Sequence, residues 1–183
     1  MANLLHLAEI SQSVLDVAYD GLASTSTGQP NEAYISHNAP AVDCCDMLVV
    51  YAEFIRPSIG MGFNAQYVTG GRVLNQCNNL GRVLDLVIEL WRPCFPTVVD
   101  NAYHPFPATE DTDAAARALL EDAWALQCSL IGAACDGSIW PDSVSRDCLD
   151  MAWGDMQPLG PQGGCAGWRW LLTFELDMST CGS

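Results

Sequence analysis

The sequence has no lysine among its 183 residues. Without lysine, a P-loop phosphate site, a Schiff base and a Ser–Lys catalytic pair are all impossible. Seven basic residues, all of them arginine, stand against 22 acidic ones, and the formal net charge is −15. A chain this acidic lacks the basic surface with which proteins bind DNA or an anionic membrane.

Patterns of catalytic and metal-binding residues are also missing. The three histidines have no metal-ligand spacing, and no Gly-x-Ser-x-Gly elbow occurs. The nine cysteines include no Cys-x-x-Cys pair, which leaves zinc-ribbon and thioredoxin interpretations without support. We therefore expect no catalytic residue, no cofactor and no metal, and we expect that the chain is not an enzyme. The cysteines are expected to be buried, reduced thiols that pack as small apolar groups.

Long apolar runs are absent as well. No stretch of about 18 apolar residues could span a membrane. Met1–Leu22 carries Glu9, Asp16 and Asp20 instead of the basic start of a signal peptide. Together with a length typical of one domain, this predicts a single soluble domain over residues 1–183, made in a cytoplasm.

The first part of the chain predicts a helix and then a pair of strands. Apolar residues at helical spacing indicate a helix from Asn3 to about Asp20, which Gly21 ends. A polar connection, Ala23–Val42, follows it. Met47–Arg56 reads as a strand buried on both faces, and Val83–Arg92 as its antiparallel partner with one wetter face.

The connection between these two strands, residues 57–82, is long for a compact domain. It contains five glycines and several large apolar residues. A loop of this length usually binds something or becomes ordered on assembly. The alternative is a floppy extension of the hairpin, and the sequence leaves both open.

The second half predicts another helix and another strand pair. The acid-rich Thr109–Asp113 precedes a helix that runs to about Cys135 with Gly137 beyond its end. Cys148–Met156 reads as a weak strand and Trp168–Met178 as a strong one, with a Pro/Gly-rich loop, residues 157–167, between them. The predicted fold class is α+β: helix, strand pair, helix, strand pair, with the helices packed on a mostly antiparallel sheet.

Pairing of the first two strands would also bring cysteines together. Their outer ends would place Cys44 or Cys45 near Cys94. A Cys44–Cys94 disulfide is therefore a candidate if the mature particle leaves the cell.

The segment PLGPQGGCAGWRW, Pro158–Trp170, and the strand after it resemble the tail terminator proteins of long-tailed phages with actinobacterial hosts. Leu90-Trp91-Arg92-Pro93-Cys94 and Asp43-Cys44-Cys45-Asp46 support the resemblance. The fold pattern covers almost the whole chain, whereas the motifs cover about a fifth of it. The family is structural, so no catalytic residue is carried over.

The resemblance implies a homo-oligomeric ring, typically a hexamer, on the end of the tail tube. Such a ring stops polymerisation of the major tail tube protein and joins the tail to a head-side stopper or connector protein. Genomic DNA passes through the lumen without specific binding, and no membrane is involved. Assembly would take place in the host cytoplasm, and the mature protein would lie in the neck of the virion.

Closed rings use head-to-tail contacts between two different surface patches. The two predicted loops and the wetter face of the second strand supply the candidates for contacts with neighbouring subunits or with the tube. These candidate interface residues are Met61, Phe63, Tyr67, Arg72, Trp91, Gln157, Pro158, Leu159, Pro161 and Gln162.

Three alternatives remain open. Another head–tail connector or stopper protein of the same neck would share this class. A small cysteine-based metal protein or enzyme would need a compact ligand set, and none is visible at a usable spacing. A monomeric binding module is the third.

Overall fold

The computed structural model describes residues 2–40, 46–59, 66–67, 80–93, 109–141, 149–162 and 164–176. Within them the chain runs through α1 (Ala2–Gly21), β1 (Glu32–Ser36), β2 (Met47–Ile59), β3 (Gln66–Tyr67), β4 (Leu80–Pro93), α2 (Thr109–Asp136), β5 (Leu149–Gln162) and β6 (Cys165–Leu176). A short 3-10 turn, Leu22–Ser24, follows α1. Both helices pack on a mostly antiparallel sheet, so the predicted α+β class is confirmed.

The strands lie in the order β1-β2-β4-β6-β5, and β3 pairs with the far end of β2. Both predicted strand pairs are present, since β2 is antiparallel to β4 and β5 is antiparallel to β6. The two pairs join through β4 and β6, which are also antiparallel. β1 was not predicted. It lies in the segment taken for a polar connection and pairs in parallel with the start of β2.

The main core lies between the helices and one face of the sheet. The alternation predicted for the last strand holds, because alternate residues of β6 enter this core: Trp170, Leu172 and Phe174. Leu48 and Val50 of β2 reach it from the other side of β4. We call this surface of the sheet the helix face and the opposite surface the second face.

The first helix ends at Gly21, as predicted. It buries the side chains of Ile10, Ser11, Val14, Leu15 and Ala18. Ala8 was expected on this face but is exposed. Ile10, which was not among the residues expected there, packs into the core. The hydroxyl of Ser13 donates to the carbonyl oxygen of Ile139 at 2.7 Å, which ties α1 to the residues that follow α2.

β4 was predicted to have one wetter face, and this is wrong. The residues from Val83 to Arg92 are all buried, including Asp85 and Glu89. The physical reason is position: β4 is the central strand, with β2 on one side and β6 on the other. In a central strand, the polar residues of an alternating pattern are therefore buried with hydrogen-bond partners inside the protein and do not face water.

The prediction of one long loop over residues 57–82 is also wrong at both of its ends. β2 continues to Ile59 and β4 begins at Leu80, with Ile59 opposite Leu80. Gln66 and Tyr67 form β3, which pairs with Ile59 and Ser58. Of the β2 residues whose burial is described, 47–55, the first five are buried, and Glu53, Phe54 and Ile55 are exposed near a bulge.

The second helix is longer at its start than predicted. It includes the acidic run from Thr109 to Asp113, which was expected to precede it. The helix ends at Asp136, and Gly137 follows with a φ of 81°, as the predicted stop requires. Leu126 and Leu130 are buried from the predicted apolar stripe, and Ala133 joins them.

Candidate assembly surfaces

The segment that carries the resemblance folds as a β-hairpin and not as the predicted Pro/Gly-rich loop. β5 continues through residues 157–162, and Gln162 is directly opposite Cys165. The strands are joined by a turn at Gly164, which has a φ of 85°, a conformation that favours glycine. Proline is tolerated in β5 because it is the edge strand, where the N–H groups on the outer side have no partner to lose.

Five candidate contact residues lie on this hairpin. Gln157, Pro158, Pro161 and Gln162 are exposed on the edge strand. Leu159 is half-buried and packs against an apolar cluster on the second face of the sheet. The hairpin thus presents a polar and proline-rich outer edge whose position is fixed by one apolar residue.

Trp91, predicted as a subunit contact, is not at the surface. It is 4 % exposed and belongs to the cluster on the second face, which contains Met47, Val49, Tyr51, Val87, Trp91 and Cys165. Its indole N–H donates to Oε2 of Glu89 at 3.1 Å. An indole that is buried with its N–H satisfied is a core residue of the monomer, so the prediction for Trp91 is corrected.

The same face holds a network of polar side chains around Glu89. The hydroxyl of Tyr51 donates to Oε1 of Glu89 at 2.7 Å. Arg169 donates to Glu53 at 2.5 Å, and its Nε lies 3.9 Å from Glu89 Oε1. Further along, the hydroxyl of Thr173 donates to Asp85 at 2.8 Å. These contacts cross three neighbouring strands and satisfy carboxylates that would otherwise be costly to bury.

Burial, the hydrogen bond to Glu89 and the charge of Glu89 raise the pKa of Tyr51 above its ordinary value of 10.0. Burial alone would lower the pKa of Arg169, but the hydrogen bond and charge of Glu53, with the charges of Tyr51 and Glu89, give a net rise. The tyrosine therefore stays neutral and the arginine charged at physiological pH, which are the states that the hydrogen bonds need.

A second ionic cluster lies at the end of β4 and was missed by the sequence reasoning. Arg92 is 3 % exposed. Its guanidinium donates to Asp46 at 2.6 Å, to Asp122 at 3.0 Å and to the carbonyl oxygen of Gly28 at 2.5 Å. The hydroxyl of Thr27 donates to Asp122 at 2.6 Å. One arginine thus joins β4, α2, the start of β2 and the turn after α1.

α2 has an apolar surface on its solvent side, which was also missed. Leu120, Trp124 and Ile131 are 61 %, 70 % and 43 % exposed. Cys128 and Cys135 are exposed free thiols between and beyond them. We call these five residues the outer stripe. The five residues of the outer stripe recur at helical spacing, so the sequence does contain a pattern that indicates this surface. The helix was predicted with only one apolar face.

Other predicted interface residues lie outside the described part of the chain. They are Met61, Phe63 and Arg72, and for Tyr67 only the backbone is described, as part of β3. Cys44 and Cys94, the candidate disulfide, also lie outside the described residues. Of the described cysteines, Cys165 is disulfide-bonded. The expectation of buried, reduced thiols is therefore wrong about the redox state of Cys165, which is buried, and about the burial of Cys128 and Cys135, which are free thiols.

No metal-ligand cluster is present in the described ranges. No group of three or more His, Cys, Asp or Glu side chains within them could hold a metal ion. None of the described helices is long and apolar enough to cross a membrane.

Comparison with known proteins adds no assignment. No protein-family model matches the chain, and no curated protein matches it.

Proposed function

We propose that this protein is a ring-forming tail terminator of a long-tailed phage, a structural virion protein and not an enzyme. In this role a homo-oligomeric ring, a hexamer in the typical case, caps the tail tube, stops its polymerisation and joins it to the neck on the head side. The partners would be other copies of this chain, the major tail tube protein and a head-side stopper or connector protein.

The observation that carries the proposal is the meeting of the three sequence pieces on which the resemblance rests. Asp46, from the first piece, is ion-paired with Arg92, from the second. Trp91, next to Arg92, is directly opposite Gly167 of the third piece, and Leu159 is opposite Gly167 on its other side. Segments far apart in sequence thus build one end of the sheet.

The close fit at this place explains why the third piece needs a glycine. A Cβ atom on Gly167 would lie 1.7 Å from the carbonyl oxygen of Leu90. Any side chain would force β4 and β6 apart where the ionic cluster and the hairpin meet. The residues of the three sequence pieces therefore depend on one another for packing. This supports the view that their joint resemblance to the tail terminator family is not a chance match.

The charge of the chain is compatible with passage of DNA. Six copies at −15 each would carry about −90 formal charges before counterion screening. A lumen of that sign repels phosphates, so a genome would slide without binding. The ring would assemble in the host cytoplasm and remain in the virion at the top of the tail.

Electron microscopy of the purified protein, alone and mixed with tail tubes of the same phage, tests the proposal. We expect sixfold rings, or a cap at one end of each tube, and fewer overlong tubes when the protein is present during tube assembly. A stopper or connector of the neck would instead bind only tubes that already carry a terminator. A protein that ignores both bare and capped tubes would overturn the proposal.

A further inference from the structure

We propose that the outer stripe of α2 is the surface on which a second copy of this chain docks, against the margin formed by β1 and β2. The inference rests on the proposed ring and assigns the two patches that meet in it.

α2 is apolar on two opposite sides. At about 100° per residue, the five residues of the outer stripe fall within roughly 80° of arc. The buried side of the helix, with Asp122, Leu126, Leu130 and Ala133, is centred on the other side of the axis. A helix that is apolar on both sides is normally covered on both, whereas the described residues leave the outer side of α2 exposed.

The charge distribution favours another copy of this acidic chain as the occupant. Residues 123–135, AWALQCSLIGAAC, contain no charged side chain, although the chain as a whole carries 22 acids. Glu121, beside the stripe, accepts a hydrogen bond from the hydroxyl of Ser26. Two copies with net charge −15 repel each other over most of their surfaces, and a stretch without carboxylates, such as residues 123–135, reduces this repulsion locally.

A second set of exposed apolar residues lies along the β1 side of the sheet and is divided between its two faces. By strand register, Tyr34 and Phe54 lie on the second face, and Ile35 and Ile55 lie on the helix face. These four residues are 38–57 % exposed. Tyr34 and Ile35 belong to the edge strand β1. Phe54 and Ile55 continue along β2 beyond the last residue that β1 pairs with. We call these four residues the β1–β2 margin.

The positions of the two patches indicate a head-to-tail contact. α1 packs on β1, β2 and β4, whereas α2 packs on α1 and β6. α1 therefore lies between the margin and α2, so the margin and the outer stripe lie on opposite sides of α1. Two different patches on different sides of one chain produce head-to-tail association, which closes into rings, whereas a twofold dimer would use one patch twice.

The size of the stripe predicts weak association in free solution. Its length from Leu120 to Cys135 is about 22 Å, and with a helix about 10 Å wide it covers on the order of 200 Å². A stable interface uses about 800 Å² per partner. Contacts should therefore be weak and concentration-dependent until a tube end or closure of the ring adds further surface.

Sedimentation of two variants provides the first test. Trp124→Glu places a carboxylate in the middle of the stripe and should weaken self-association at least about tenfold. Ala8→Glu adds the same charge at an exposed position of α1 outside both patches and should leave it unchanged. Circular dichroism and thermal unfolding should show both variants folded like the parent, because both positions are exposed.

Thiol cross-linking with a short bismaleimide provides the second test. Ile55→Cys should give a ladder of covalent multimers beyond the dimer, formed between position 55 and Cys128 or Cys135 of the next copy. The ladder should disappear when Cys128 and Cys135 are replaced by serine, and Ala8→Cys should not produce it. Dimers from the parent alone, without a ladder from Ile55→Cys, would indicate a back-to-back contact and overturn the head-to-tail assignment.

The outcomes separate the inference from the proposed function. Caps on tubes that form equally well with Trp124→Glu would overturn the inference and leave the terminator proposal standing. A cross-linked ladder with no binding to tubes would support the contact and count against the terminator. Neither ladder nor caps at any concentration would overturn both.

Discussion

Arg92 donates from Nε to Oδ2 of Asp122 across 3.0 Å, and neither side chain is more than 4 % exposed. The pair connects the end of the central strand to the middle of α2. Asp46 supplies a second carboxylate at 2.6 Å, so one guanidinium neutralises part of the charge of two acids. Because the cluster is buried, its charged groups are stabilised by each other and not by water.

Replacing Arg92 with methionine should therefore lower the free energy of unfolding by about 3–5 kcal/mol, because Asp122 would remain buried without its cation. The matched control is Arg117→Met, which removes an exposed pair with Asp113 four residues away and should cost less than about 0.5 kcal/mol. Urea unfolding of the two variants measures both values.

A second replacement tests the mechanism of this loss. Asp122→Leu in the Arg92→Met background removes the stranded charge and should recover part of the stability, because an apolar pair of similar volume avoids the desolvation cost. If Arg92→Met lies within about 1 kcal/mol of the parent, the cluster is not an important contributor to the fold.

Much of the fold could be predicted from the sequence, because local patterns determine it. The period-two pattern of β6 predicted the burial of Trp170, Leu172 and Phe174, since alternate residues of a strand share a face. The two long helices and both antiparallel pairs followed in the same way. β1 could not be predicted, because its pairing with β2 is a long-range contact and four of its five residues are exposed.

The candidate surfaces were predicted less well. Pro158 and Pro161 favour a loop in any local interpretation, and only the edge position of β5 in the finished sheet makes them compatible with a strand. Trp91 and Glu89 look like surface residues until β4 is known to be central. Arg92 looks like any other arginine until the folded chain brings Asp46 and Asp122 to it.

Two glycines offer a matched test of the packing. Gly167→Ala would place a methyl group 1.7 Å from the backbone oxygen of Leu90, and backbone cannot give way as a side chain can. We expect a loss of about 3 kcal/mol or more. Gly132→Ala, in the interior of α2 with no atom near the new methyl, should instead gain about 0.5–1 kcal/mol from helix propensity.

Thermal unfolding of the two glycine variants should show changes in stability of opposite sign. Gly132 is close to the outer stripe, so the comparison is best made at low protein concentration, where self-association contributes little. A Gly167→Ala of unchanged stability would contradict the described register of β4 and β6, and a destabilised Gly132→Ala would contradict the open surroundings of Gly132.

The raised pKa of Tyr51 predicts how stability responds to alkaline pH. The phenol of the unfolded chain ionises near its ordinary value of 10.0, whereas that of the folded protein ionises higher. The folded state thus holds the phenolic proton of Tyr51 more tightly than the unfolded state does. The resulting contribution to the free energy of unfolding is present below pH 10 and is lost as pH rises above it. For one titrating group, the free energy of unfolding can fall by at most about 1.4 kcal/mol per pH unit.

Tyr51→Phe removes this titration and should make the decline of stability above pH 10 less steep than in the parent. At neutral pH the same variant should be less stable by about 1 kcal/mol, since the hydrogen bond to Glu89 is lost. Urea unfolding at a series of pH values between neutral and alkaline measures both effects. Parallel curves for the two proteins would show that Tyr51 does not ionise differently in the folded state.

The cysteines give a prediction that mass spectrometry can check directly. Cys128 and Cys135 are exposed and free, so iodoacetamide should modify both in the native protein without reductant. Cys165 is disulfide-bonded and 2 % exposed, so it should react only after reduction and unfolding. Because both exposed thiols lie on the outer stripe, a second copy docked there should also slow their modification as the protein concentration rises.

Peptide mapping of the unreduced protein identifies the partner of Cys165 and decides whether Cys44 and Cys94, the candidate pair from the predicted strand pairing, are joined. Reduction should lower the free energy of unfolding by about 2–4 kcal/mol, because a cross-link restricts the unfolded chain. The disulfide tethers Cys165, the first residue of β6, beside the hairpin turn. Reduction should therefore speed hydrogen exchange more in residues 157–170 than in α1. Alkylation of Cys165 in the native, unreduced protein would contradict the disulfide.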